Sequence, residues 1–127
     1  MKKVLLIEEE PVLVDLFKDK FFKEGFNILT APDSDSGLQI ARIEKPNVII
    51  LDIMLPTTSG ISFLKKLRAE PEISKTPVFV FSCLDTTDIK KQAFDLKIED
   101  YIVKTKYTPD QLLEKVKEYF NKNGENT

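Results

Sequence analysis

Residues 4–7, 48–51 and 78–81 are apolar at every position. Runs this short and this uniform predict strands covered on both faces, which makes them the central strands of a parallel sheet. Residues 26–30 and 101–103 are shorter or more mixed in polarity and predict edge strands. Amphipathic stretches separate the runs, and turn residues mark nearly every junction. Five alternations of this kind predict an α/β domain with a doubly wound, five-stranded parallel sheet and five helices.

Each helix carries start or stop signals. Pro11 suits a first helical position, where its missing N–H costs nothing, and Leu13, Leu16, Phe17 and Phe21 recur on an inward face until Gly25. A second helix begins near Asp33 or Ser34 and ends before Pro46. Ser59 caps a third, with Phe63, Leu64 and Leu67 inward and Pro71 beyond its end. Asp85 caps a fourth, with Ile89, Ala93 and Leu96 inward. Thr108-Pro109-Asp110-Gln111 combines an N-cap, a first-position proline and a capping-box glutamine, followed by inward Leu112, Leu113, Val116 and Phe120. One folded unit is expected over residues 1–121, with a frayed tail over 122–127.

Composition narrows the function classes. With 19 basic and 21 acidic residues in 127, the net charge is -2, which lacks the basic footprint of a nucleic-acid binder. Cys83 is the sole cysteine, so no internal disulfide forms, and it fits a small buried site. The apolar stretch after Lys2 and Lys3 is too short for a signal peptide or membrane span. A cytoplasmic protein is expected, with no membrane contact and no direct nucleic-acid binding.

Ligands of open parallel α/β sheets bind beyond the carboxyl ends of the strands. The residues following the runs are Glu8, Glu9 and Glu10, then Asp52, Ser82 and Lys104. In the common strand order 2-1-3-4-5 these become neighbours at one edge. Clustered carboxylates repel and call for a cation. With no histidine in the chain, the oxygen donors favour a hard ion such as Mg2+, which takes one or two carboxylates and fills its shell with water and phosphate oxygens. Phosphoryl transfer asks mainly for positioning and charge neutralisation. Asp52 is the candidate nucleophile, Glu8, Glu9 and Asp52 the candidate metal ligands, and Lys104 and the Ser82 hydroxyl the candidate partners of the remaining phosphoryl oxygens.

The segments around these residues, namely 4–11, 48–56 leading to Ser59-Gly60, 77–82 and 100–104, together resemble the receiver domain of two-component response regulators, in particular stand-alone receivers. The resemblance covers essentially the whole chain and implies a flavodoxin-like fold. It implies Asp52 as phosphoacceptor, Glu8 and Glu9 as the acidic metal-binding pair, and the Met54 backbone carbonyl as a further Mg2+ ligand. Ser82 matches the switch hydroxyl, Lys104 the family's lysine, and Tyr101 the aromatic that swings inward on activation. A sensor histidine kinase or histidine phosphotransfer protein is the implied donor, and a further protein is the implied downstream target. A homodimer through the fourth helix, fifth strand and fifth helix belongs to the same set of expectations.

Three positions depart from the family pattern. Glu9 stands where aspartate is usual and is one methylene longer. Thr105 replaces a proline that usually follows the lysine with a cis bond, so a trans loop and a displaced Lys104 side chain are expected. Lys97 stands where glycine usually follows the fourth helix. These departures motivate an alternative, a binding module of the same fold that works without phosphorylation. An enzyme acting on other substrates is not expected, because a phosphatase would want a carboxylate at Met54 and a flavin phosphate would be repelled by Glu8, Glu9 and Glu10. Lys90, Lys91, Lys97 and Lys106 read as solvating charges near the output face.

Overall fold

The computed structural model describes residues 1–56 and 58–123. Five strands, β1 (Lys3–Ile7), β2 (Asn27–Ala31), β3 (Val48–Leu51), β4 (Val78–Ser82) and β5 (Asp100–Val103), alternate with α1 (Pro11–Lys23), α2 (Ser34–Glu44), α3 (Gly60–Ala69), α4 (Thr87–Asp95) and α5 (Pro109–Lys122). The strands are parallel in the order β2-β1-β3-β4-β5. This is the flavodoxin-like arrangement expected from the sequence.

Alternate residues of each central strand point to opposite faces, and both faces are covered. Leu5, Ile7, Ile49, Leu51, Val78 and Val80 belong to one buried cluster, with Leu38, Ala41, Phe63, Leu64, Leu67 and Ala93 of α2, α3 and α4. Val4, Leu6, Val48, Ile50, Phe79 and Phe81 belong to the other, with Phe17, Phe21, Leu112, Val116 and Phe120 of α1 and α5. That double covering is why the central runs have no polar position. Phe17 meets Phe81 edge-on at 5.6 Å between ring centres, pinning α1 to the centre of the sheet.

Several expectations shift. Leu16 is not inward but exposed, because at about 100° per residue it lies well off the stripe formed by Leu13, Val14, Phe17 and Phe21. The cap of α4 is Thr86, whose hydroxyl accepts the Ile89 N–H, and Asp85 instead pairs with Lys90 and Lys106. Of the α4 residues expected inward, Ala93 is buried while Ile89 and Leu96 are partly so. Cys83 is exposed rather than buried: β4 ends at Ser82, and the next side chain leaves the sheet. Lys97 has φ 64, the left-handed turn expected of a glycine position, and its backbone is held by Arg68. The guanidinium of Arg68 donates to the carbonyls of Ser74, Thr76, Leu96 and Lys97, tying the end of α4 to α3 and the turn after it. Helix α5 reaches Lys122, the first residue of the stretch expected as tail, and residues 124–127 of that stretch lie outside the described residues. Among the described residues no helix is long and apolar enough to cross a membrane.

Candidate functional site

The sheet's own hydrogen bonding places the chemistry. Beyond the assigned strand ends the backbone ladder continues by one residue: Glu8 N–H donates to Ala31 O at 3.0 Å, Asp52 N–H to Ile7 O at 3.1 Å and Lys104 N–H to Ser82 O at 2.9 Å. Leu51 is aligned with Ile7 and with Val80, and Val103 with Ser82. The residues after three strands are thus fixed at one edge by backbone bonds before any side-chain contact is considered. Gly60, at the start of α3, is pressed against this edge. A Cβ there would stand 2.8 Å from Asp52 O and 2.8 Å from Ile53 Cα, and its N–H donates to Ile53 O at 2.9 Å. Only glycine leaves room for that approach.

Asp52 is buried, and both of its oxygens are engaged. Oδ1 accepts the Met54 N–H at 3.0 Å, and Oδ2 lies 2.9 Å from Lys104 Nζ. The same ammonium lies 2.7 Å from Glu8 Oε1 and 3.4 Å from Glu10 Oε2. Glu8 Oε2 accepts the N–H groups of Glu9 and Glu10 at 3.1 and 3.2 Å, which turns this carboxylate inward. Burial pushes the Glu8 carboxyl above its ordinary range, against the lowering influence of Lys104 and with a further push from Asp52. Burial acts to lower the Lys104 ammonium, but its bonds and charge interactions with Glu8 and Asp52 prevail and hold it above its ordinary range. One cation shared by two buried acids gains from both, whereas each acid receives only part of it.

Ser82 is fully buried, and its hydroxyl accepts the Leu84 N–H at 3.3 Å. The Tyr101 hydroxyl donates to Leu84 O at 2.7 Å. Desolvation raises the Tyr101 phenol above its ordinary pKa, offset in part by the nearby Ser82 hydroxyl. Tyr101 therefore points inward and is bonded within the protein, and Leu84 links it to Ser82.

The structure brings Asp52, Glu8 and Lys104 into direct contact and joins Ser82 to Tyr101. It leaves the Glu9 side chain exposed, at the margin of an open groove of about 730 Å³ that Met54 and Leu84 also border. The Lys104–Thr105 bond is trans, as expected, yet the lysine is not displaced, since its ammonium reaches Asp52. Two contacts were not anticipated. The Met54 N–H acts on Asp52, in addition to the expected carbonyl role, and Glu10 is a third partner of Lys104. The Glu8-Glu9-Glu10 run signals the second only as unassigned acidity.

The donor chemistry fits a hard cation of the Mg2+ kind. Glu8 and Asp52 supply buried carboxylates, Met54 a backbone carbonyl, and Glu9 an exposed carboxylate beside them. Among the described residues no three acidic, thiol or imidazole side chains cluster closely enough to hold a metal alone. Mg2+ ordinarily takes one or two carboxylates and completes its shell with water and phosphoryl oxygens.

Residues 4–117 match the response regulator receiver domain. The chain belongs to the response regulator receiver family. It is similar to the probable transcriptional regulatory protein TcrX of Mycobacterium tuberculosis, with 36% identity over 102 residues, 80% of this chain and 42% of that one. It is 31% identical to the alkaline phosphatase synthesis transcriptional regulatory protein PhoP of Bacillus subtilis over 116 residues, 91% of this chain and 47% of that one. The receiver chain thus spans less than half the length of these curated relatives. Among solved structures, the Francisella response regulator 1452 receiver domain superimposes with a TM-score of 0.85 at 29% identity, covering 97% of this chain and 99% of that one. The BeF3-activated receiver domain of Klebsiella pneumoniae RstA superimposes with a TM-score of 0.81 at 26% identity, covering 91% and 95%.

Proposed function

We propose that this receiver domain is the phosphoacceptor of a two-component phosphorelay, taking a phosphoryl group on Asp52 from a phosphohistidine donor in a Mg2+-dependent reaction and switching its binding to a downstream protein. The observation that carries the reading is the state of Asp52: a buried carboxylate at a strand end, oriented by the Met54 N–H on one oxygen and by Lys104 on the other. In the transfer, an Asp52 oxygen forms a bond to phosphorus as the bond from phosphorus to the donor nitrogen breaks, with the electron pair leaving on the imidazole. Mg2+ would draw its protein ligands from Glu8, Glu9, Asp52 and the Met54 carbonyl and would neutralise charge on the transferred group. Lys104 and Ser82 are the chain's own partners for phosphoryl oxygens. The donor is a sensor histidine kinase or a histidine phosphotransfer protein.

The Ser82–Leu84–Tyr101 connection supports the switch, because any movement of the Ser82 hydroxyl toward a phosphoryl group disturbs the backbone to which Tyr101 is bonded. The output surface is α4, β5 and α5, available to a target or to a second copy. The domain works in the cytoplasm without direct nucleic-acid binding, and its chemistry is confined to its own phosphorylation and dephosphorylation.

Incubation with Mg2+ and a small acyl phosphate, followed by intact-mass measurement, tests the reading. One phosphoryl adduct is expected, absent in Asp52→Asn and absent when a chelator removes Mg2+. No adduct in the unaltered protein at saturating Mg2+ contradicts it and favours the phosphorylation-independent binding module.

A further inference from the structure

Glu10 has a place in the site that neither the metal nor the phosphoryl group requires. It is the N-cap residue of α1, yet its side chain makes no capping bond. Its Oε2 lies instead 3.4 Å from Lys104 Nζ, with the Glu10 side chain 64% exposed and that of Lys104 12% exposed. Glu10 and Lys104 both line an open groove of about 330 Å³ at this side of the site, together with Phe81 and Tyr107. The cation that must meet an incoming phosphoryl oxygen therefore already faces three carboxylates, Glu8, Glu10 and Asp52. Glu8 and Asp52 are buried and belong to the site, whereas Glu10 stands between Lys104 and solvent.

We propose that Glu10 is a specificity-determining residue for the phosphodonor: it offsets the Lys104 charge at the solvent side and disfavours small, free, highly charged phosphodonors. This inference rests on the phosphoacceptor reading of Asp52 and adds a selectivity to it. The selected class is a donor that brings its phosphoryl group with little net negative charge. The disfavoured class is the dianionic acyl phosphate.

The chemistry at Asp52 is common to both classes. With acetyl phosphate, an Asp52 oxygen bonds to phosphorus as the phosphorus–oxygen bond to acetate breaks, and the electron pair leaves on acetate. With the phosphoramidate monoanion, the phosphorus–nitrogen bond breaks and ammonia leaves. No proton from the chain is needed in either case. Only donor charge distinguishes the two, so Glu10 acts on the encounter and binding of the donor and leaves the bond exchange unaltered. Coulomb energy scales with the donor's charge, so the factor by which an exposed carboxylate disfavours a dianion is about the square of that for a monoanion, roughly tenfold against roughly threefold at low salt, and less as salt rises.

The test compares Glu10→Gln with the unaltered protein at saturating Mg2+, using both donors across a range of donor concentration and ionic strength. Glu72→Gln, on an exposed residue in the turn after α3, serves as a control for net charge. Glu10→Gln is expected to raise the phosphorylation rate at low donor concentration, by a larger factor for acetyl phosphate than for phosphoramidate. The gain should lie in the half-saturating concentration rather than the maximal rate, and should shrink with added salt, while Glu72→Gln changes neither. Equal factors for the two donors, a gain in maximal rate only, a loss of rate, or the same gain in Glu72→Gln overturns the inference while leaving Asp52 as acceptor. Failure of both donors to phosphorylate the unaltered protein overturns the phosphoacceptor reading and this inference with it.

Discussion

Lys104→Met keeps most of the aliphatic stem of the lysine and removes only its charge, leaving Glu8 and Asp52 facing each other without a cation. Their side chains are 2% and 6% exposed, and the lysine they lose lies 2.7 and 2.9 Å away. Removing one partner of a buried ion pair typically costs about 3–5 kcal/mol, because the remaining charge is uncompensated. Here the loss is limited by protonation of Glu8, whose pKa burial already raises and which rises further once the lysine is gone. The expected loss is therefore ~3 kcal/mol near neutral pH, roughly a 10 °C fall in Tm for a domain of this size. The sign with pH follows from the raised value. Between the ordinary and the raised pKa of Glu8, the folded state binds the proton more tightly than the unfolded chain, so stability falls as pH rises through that window. In Lys104→Met the window extends upward, and the deficit relative to the unaltered protein should shrink as the solution is acidified from neutral pH. Urea unfolding followed by far-UV circular dichroism measures both, without needing tryptophan, which the chain lacks. A deficit that is absent at neutral pH, or that grows on acidification, refutes the electrostatic account.

Arg68→Met should cost about 2–4 kcal/mol in urea unfolding, since it removes four bonds to backbone carbonyls around the end of α4, and Arg68→Lys should recover only part of that. Lys97→Gly should raise stability by up to ~1 kcal/mol, measured the same way, because relief of a left-handed side chain at φ 64 slightly exceeds the greater freedom of glycine in the unfolded chain. Gly60→Ala should lower both stability and the rate of Asp52 phosphorylation by an acyl phosphate, because the added Cβ meets the Asp52 carbonyl at 2.8 Å and forces backbone to move.

The central strands and the placement of Asp52, Ser82 and Lys104 were legible because they depend on backbone order. Apolar runs fix which strands are covered twice, and parallel pairing carries the residues after them to one edge. Side-chain direction was less legible. Leu16 shares the composition of an inward stripe but not its angle, and Cys83 follows a buried strand yet turns to solvent. Asp85 and Thr86 are both good N-caps, and the choice fell to Thr86 because Asp85 is drawn to Lys90 and Lys106. At the site, the glutamates after β1 look alike in sequence but serve differently. Glu8 is folded inward by two backbone N–H groups, Glu9 stays exposed, and Glu10 reaches Lys104. The bonds of Arg68 join α3 to the end of α4 and have no local sequence signature at all.

Phosphoacceptor function turns on one group, the Asp52 carboxylate, so the sharpest experiment locates the phosphoryl group itself. After reaction with Mg2+ and a phosphodonor, borohydride reduction converts an aspartyl phosphate to homoserine, and peptide mass spectrometry finds where. Conversion is expected at Asp52 alone and is lost when Mg2+ is chelated. Conversion at another carboxylate, or none after complete reaction, contradicts it.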